Sequence, residues 1–216
     1  MAIRSSFLFV SAVAVLTGSV LHANVIFPGD TGITPDSFSL SDISLVTDSG
    51  VLEYSFDGGL TSGLYESAVL TDPFNTFCPG CLDFAFVFDV TDSNNSITEL
   101  DMSSFGNLSL DGGYSISTGG EIIPSSMSRS ADGGTIGFNT QVQAGEASVF
   151  LIVMTPVTSY DTNGTATFVD NNGISFGVPD YEPVTTPEPS SAVPLGLGML
   201  ALASLPKKLR RFTGGR

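Results

Sequence analysis

The chain has no tryptophan, one histidine, two cysteines, and seven lysines and arginines against 22 aspartates and glutamates in 216 residues. Each scarcity removes a class of chemistry. The single histidine, His22, lies inside an apolar amino-terminal run, and no lysine precedes Lys207, so the folded middle can offer neither a Ser-His-Asp nor a Ser-Lys arrangement. Gly173-Ile174-Ser175-Phe176-Gly177 fits the nucleophile-elbow pattern. It reads as a strand with no following helix and no base, so the match is accidental. No phosphate loop ending in Gly-Lys-Ser/Thr is present, and no dinucleotide fingerprint precedes a helix.

All but one of the bases lie at the two ends. Between Asn24 and Glu188 a single base, Arg129, faces all 22 acids, a formal charge of −21. Such a surface repels a nucleic-acid backbone, and no cationic patch is available for phosphates or an anionic membrane.

Both ends read as sorting segments, which leaves one ordinary domain between them. Residues 1–23 have a positive start at Arg4, an apolar body from Phe7 to Leu21, and small Ala23 before a cut at Ala23/Asn24. This is the layout of a signal peptide, the substrate of a signal peptidase, and cleavage there would also remove His22. At the other end Pro187-Glu188-Pro189 leads into Ala192 to Pro206, fifteen mostly apolar residues, then into the basic cluster Lys207, Lys208, Arg210 and Arg211. A helix of that length covers roughly 22 Å, against a hydrocarbon core of about 30 Å. Extension through Leu209 with snorkelling lysine stems makes residues 192–216 a short transmembrane helix with a basic tail on the cytoplasmic side.

The Pro-Glu-Pro motif, apolar helix and arginine-rich end resemble the PEP-CTERM sorting signal of exported bacterial proteins. The resemblance implies an exosortase-type membrane enzyme that recognises Pro187-Glu188-Pro189, cuts nearby, and releases the ectodomain to the cell surface or extracellular matrix. Pro206 before the basic cluster and the extension Thr213 to Arg216 depart from that pattern. A weaker similarity to an uncharacterised group of secreted PEP-CTERM proteins runs from Leu52 to Pro189. It is carried by Cys78-Pro79-Gly80-Cys81-Leu82-Asp83-Phe84, by Gly145-Glu146-Ala147-Ser148, and by Asn163-Gly164-Thr165-Ala166. It implies a shared β fold, with polysaccharide or envelope proteins as partners.

Residues 24–178 read as short strands separated by Gly, Asp, Asn and Ser, with no sustained helical period. The expected strands are Val51–Phe56, Leu64–Leu70, Leu82–Val90, Ile97–Met102, Asn107–Leu110, Tyr114–Ser117, Thr135–Asn139, Ser148–Thr155, Thr165–Val169 and Ile174–Val178. In Leu82–Val90 three phenylalanines share one face, with Asp83, Ala85, Val87 and Asp89 on the other. Ser148–Thr155 is apolar on both sides, as suits a central strand covered on both faces by sheet and loop. Gly58-Gly59, Gly112-Gly113, Gly119-Gly120 and Gly133-Gly134 are expected in turns. The pattern predicts an all-β fold, an antiparallel β-sandwich of jelly-roll type. Residues 179–191, with four prolines, are expected to form an extended tether.

Cys78 and Cys81 are the only thiols, in a chain addressed outside the cytoplasm. A local disulfide is favoured over a redox pair, which wants a helix after it, and over a zinc half-site, which finds no further ligands. Asp89, Asp92 and Asn94 in one loop and Asp170 in another are a weak calcium candidate outside EF-hand spacing. The alternative for such residues is turn stabilisation through their own side chains. No cofactor is required. The function expected is a non-catalytic surface or matrix role. The rivals are a carbohydrate-binding module, with Tyr65, Tyr114 or Tyr160 as an aromatic platform, and a glycoside hydrolase with a carboxylate pair.

Overall fold

The computed structural model describes residues 25–185 apart from 41, 94 and 118. The expected signal segment 1–23 and the helix and basic tail at 192–216 lie outside the described residues. The chain divides into two units, Met1–Val184 and Thr185–Arg216, and the strands among the described residues belong to the first.

Fourteen strands form two sheets, and no α-helix occurs among the described residues. Numbered in chain order, the first sheet runs β1 (Asp36–Ser37), β8 (Asp111–Ser115), β12 (Phe150–Met154), β5 (Leu82–Val90), β4 (Thr61–Thr71) and β2 (Ser44–Asp48). Short strands complete it: β3 (Leu52–Phe56) and β6 (Asp92–Ser93) on β4, and β11 (Glu146–Ala147) on β5. The second sheet runs β14 (Ser175–Pro183), β13 (Tyr160–Asp170), β7 (Ile97–Met102), β10 (Ile136–Val142) and β9 (Ser126–Arg129).

Alternation along β5 explains how the sheets share one core. Leu82, Phe84, Phe86, Phe88 and Val90 point inward to meet Leu100 and Met102 of β7, Phe138 of β10 and Phe168 of β13. The ring of Phe168 lies 5.9 Å from Phe86, 5.1 Å from Phe88 and 4.4 Å from Tyr54, and such rings bury about 150–250 Å² each. The result is a sandwich-like all-β fold whose core is aromatic where a small acidic chain has little else to bury.

The two-sided apolar strand behaves as its sequence requires. On β12, Leu151 and Val153 enter the main core, while Ile152 and Met154 join a second cluster on the outer face with Phe38, Leu70 and Ala85. Leu40, Ile43 and Phe77 from flanking segments cover that cluster.

Several expectations are corrected. Asn107–Leu110 is a turn rather than a strand: Asn107 has φ 63°, and Leu110 makes only an isolated bridge to Ile26. Gly112 and Gly113 lie inside β8 and not in a turn. A Cβ at Gly113 would sit 2.0 Å from the Asp36 carbonyl oxygen, because β1 passes alongside at close range. That β1–β8 pair is parallel, so the first sheet is mixed and not wholly antiparallel. Residues 179–183, expected in the tether, are strand instead, since β14 continues to Pro183 with Asp180 and Tyr181 buried. Its prolines are tolerated because β14 is an edge strand whose outer N–H groups need no partner.

Candidate functional site

Two places concentrate polar chemistry against a fixed backbone: a strap over the first sheet's outer face, and a cleft beside the sole base of the domain.

The strap is residues 72–81, joining β4 to β5. Cys78 and Cys81 are disulfide-bonded with Cα atoms 5.4 Å apart, and Cys81 leads directly into β5 rather than a helix. The backbone closes on itself through Asn75 N–H and Gly80 N–H to the Asp72 carbonyl, both 3.2 Å, and Cys81 N–H to the Cys78 carbonyl, 3.1 Å. Asn75 pins the strap to the sheet. Its Oδ1 accepts from the N–H groups of Phe77 (2.8 Å) and Cys78 (3.3 Å), and its Nδ2 donates to Asp83 Oδ1 (2.6 Å) and the Thr155 carbonyl (3.2 Å). Next to it, Thr76 Oγ1 donates to Asp111 Oδ2 at 3.0 Å. Asp83 is 0 % exposed, and its Oδ2 has no hydrogen-bond partner. Burial pushes its carboxyl up to about 8, relieved by the Asn75 amide and reinforced by Asp72 and Asp111.

The weak calcium candidates come partly together. Asn95 Nδ2 donates to Asp170 Oδ2 (3.3 Å) and Asn171 N–H to the Ser96 carbonyl (3.1 Å), so the two oxygen-rich loops are neighbours. Their oxygens are engaged in turn closure: Asp170 Oδ1 accepts from the N–H groups of Asn172 and Ile174, both 2.8 Å. Asp89 Oδ1 takes the Leu64 N–H at 2.7 Å, and Asp92 sits exposed on β6. Asn94 lies outside the described residues. Among the described residues no group of three or more His, Cys, Asp or Glu side chains is placed to hold a metal ion.

One carboxyl pair is in direct contact. Asp101 is pushed up to about 6, first by burial and then by Glu99, with which it hydrogen-bonds. Both crowd the bare backbone of Gly137, whose missing Cβ would lie 2.8 Å from Asp101 Oδ1, Glu99 Oε1 and Ser128 Oγ. A glycosidase pair needs a gap of about 5 Å or more for the sugar or a water, so this pair is too close for that work. Ser175 of the elbow-like motif lies on β14, opposite Val169.

The cleft has a volume of about 230 Å³ and is lined by Val25 to Pro28, Asn107 to Ser109, Arg129 and Asp132. Arg129, only 3 % exposed, fixes its walls. The guanidinium donates to the carbonyls of Ile26 (2.8 Å), Leu108 (2.8 Å), Gly133 (3.1 Å) and Phe105 (3.3 Å). Phe27 is held out at the rim, 63 % exposed, with its N–H on Asp30 Oδ2 at 2.8 Å. Of the tyrosines named from sequence, Tyr65 is buried in the core, Tyr114 is partly buried against it, and Tyr160 is 37 % exposed with its ring on Tyr181.

No family model, curated protein or solved structure matches this chain.

Neither Arg129's clamp nor the Asp83 burial was legible beforehand. Arg129 carried a signal in being the one base of an acidic stretch. Asp83 carried another, as an acid flanked by apolar residues in the most hydrophobic strand. The sorting motif Pro187-Glu188-Pro189, the cluster Lys207, Lys208, Arg210 and Arg211, and the Ala23/Asn24 junction lie outside the described residues.

Proposed function

We propose that this chain is an exported cell-surface or matrix protein with a structural or binding role and no catalysis. In this reading a PEP-CTERM-type tail sorts it, a signal peptidase and an exosortase-type enzyme process it, and its domain is a jelly-roll-like sandwich on a short tether. The observation that carries the reading is the placement of charge. The only base between Asn24 and Glu188 is buried and spent on backbone carbonyls, so the charged side chains the domain turns to solvent are acids. A wholly anionic domain between apolar, base-flanked ends suits passage across a membrane and retention of the basic tail on the near side. Intact-mass analysis of surface-released protein tests it. Termini near Asn24 and Pro189 are expected, and a released chain still carrying Lys207 to Arg216 would refute tail removal.

A second reading has the Phe27 cleft in its favour. An exposed aromatic ring beside Asn107, Ser109 and Asp132 on a rigid base is the arrangement a sugar face stacks on. On a glycan array, Phe27→Ala is expected to abolish whatever polysaccharide binding the wild type shows, and equal binding by both would sink the cleft as the site.

A further inference from the structure

The buried acids beneath the strap raise an electrostatic question that the proposed function does not touch. Asp83, Asp72 and Asp111 are all at least nine-tenths buried near the same end of the first sheet. A buried carboxylate needs a counter-charge or a full set of donors. Among the described residues no base can supply it, because Arg129 is committed to the carbonyls of Ile26, Phe105, Leu108 and Gly133. The groups facing Asp83 from the neighbouring elements make matters worse. Asp72 from the strap and Asp111 from β8 are acids, while β4 and β12 present Leu70 and Met154 as its register partners. Asn75 can solvate one oxygen of an ionised Asp83, but among the described residues nothing hydrogen-bonds to Oδ2.

We propose that Asp83 is a proton-binding site that latches the strap. With the proton on its carboxyl, residues 72–81 stay closed over the outer cluster. When the proton leaves to solvent, the bare charge draws in water and the strap swings away. Asn75 transmits the event, since the same side chain holds Asp83 through Nδ2 and the strap N–H groups of Phe77 and Cys78 through Oδ1. Opening uncovers apolar surface that Phe77 now covers, next to Ile152 and Met154. The disulfide keeps the freed strap compact, so the motion is a hinged opening and not a general unravelling. The burial-raised carboxyl described above is consistent with this geometry.

Two measurements on the full chain test the latch: carboxyl-carbon NMR of Asp83 across pH, and amide-exchange protection factors at Phe77 and Cys78, with amides of β13 as the control. Asp83 is expected to stay protonated at neutral pH. Above its midpoint, strap protection is expected to fall up to tenfold per pH unit, while β13 is unchanged. In Asp83→Asn the amide keeps the Asn75 bond without a charge, and strap protection is expected to be flat with pH. Three results would overturn the latch: an Asp83 carboxylate already ionised at about pH 6, strap protection with the wild-type pH dependence in Asp83→Asn, or ionisation that occurs only with added calcium, which would make the site a cation site. If Asp83→Asn fails to fold, the wild-type titration decides alone.

Discussion

Arg129 joins three stretches of chain distant in sequence, at Ile26, Phe105 to Leu108 and Gly133, through one guanidinium. Its planar fork serves carbonyls in several directions at once, which a lysine ammonium cannot copy. Replacing it leaves buried acceptors without donors, each costing about 1–3 kcal/mol. Arg129→Met is therefore expected to destabilise the domain by roughly 3 kcal/mol or more in urea unfolding, with Arg129→Lys recovering only part of the loss. A loss below about 1 kcal/mol would show that water replaces the guanidinium at little cost. The residue type was plain in the sequence, but its partners were not, because all are backbone groups and those of Ile26, Phe105 and Leu108 are brought near only by the tertiary fold.

Elements with strong alternation were legible and weakly patterned ones were not. Leu82–Val90 and Ile97–Met102 match β5 and β7 residue for residue: β5 alternates strictly, while in β7 Leu100 and Met102 share a face and Ile97 is buried at the end where the pairing register shifts. By contrast β2 (Ser-Leu-Val-Thr-Asp) is an edge strand with Leu45 and Val46 exposed, and β9 (Ser-Met-Ser-Arg) places only Met127 in the main core. Neither has a pattern that burial would have enforced. The Gly112-Gly113 pair misled for a physical reason. A glycine pair reads as a turn, yet here Gly113 admits β1 and Gly112 makes room for Met127, whose Cε lies 2.2 Å from where a Cβ would be. Gly113→Ala must displace backbone, not a flexible side-chain end, so the β1–β8 pairing is expected to fail. Overpacking of this kind costs about 1–3 kcal/mol, and exchange protection of the Phe38 N–H, bonded to the Tyr114 carbonyl at 2.7 Å, reports it. Protection at Phe38 equal to wild type would contradict the close approach. The disulfide belongs to the same scale. Its loop is short, so closure entropy accounts for only about 2 kcal/mol, and Cys78→Ser/Cys81→Ser is expected to lower stability by about that much while the sheets stay folded.

Across the whole molecule, charge and burial combine into an unusual pH response. Burial holds the carboxyls of Glu66, Asp72, Asp83, Asp89, Asp101 and Asp180 above the ordinary range, with Asp101 at about 6, Asp180 at about 7 and Asp83 at about 8. Asp132 moves the other way, through its bonds from Ser130 and the Gly134 N–H. For a carboxyl raised in the folded state, the native chain binds the proton that the unfolded chain has already lost. The associated stability is complete below the unfolded value near 3.8 and declines as pH rises to each folded value. A fully buried group can contribute a slope of about 1.4 kcal/mol per pH unit in its window, as Asp180 does up to about 7 and Asp83 alone at the top, while the partly buried Asp101 adds a weaker slope up to about 6. The uncompensated surface charge of the stretch from Asn24 to Glu188 pushes in the same direction, and added salt screens that part but not the buried part. Urea unfolding across pH is therefore expected to give greatest stability at or just below about pH 4 and a steady fall toward about pH 8. High salt should reduce the fall without removing it, and Asp83→Asn should flatten its last stretch. A stability maximum at pH 7 to 8 in low salt would mean that these carboxyls are ionised and solvated in the folded chain.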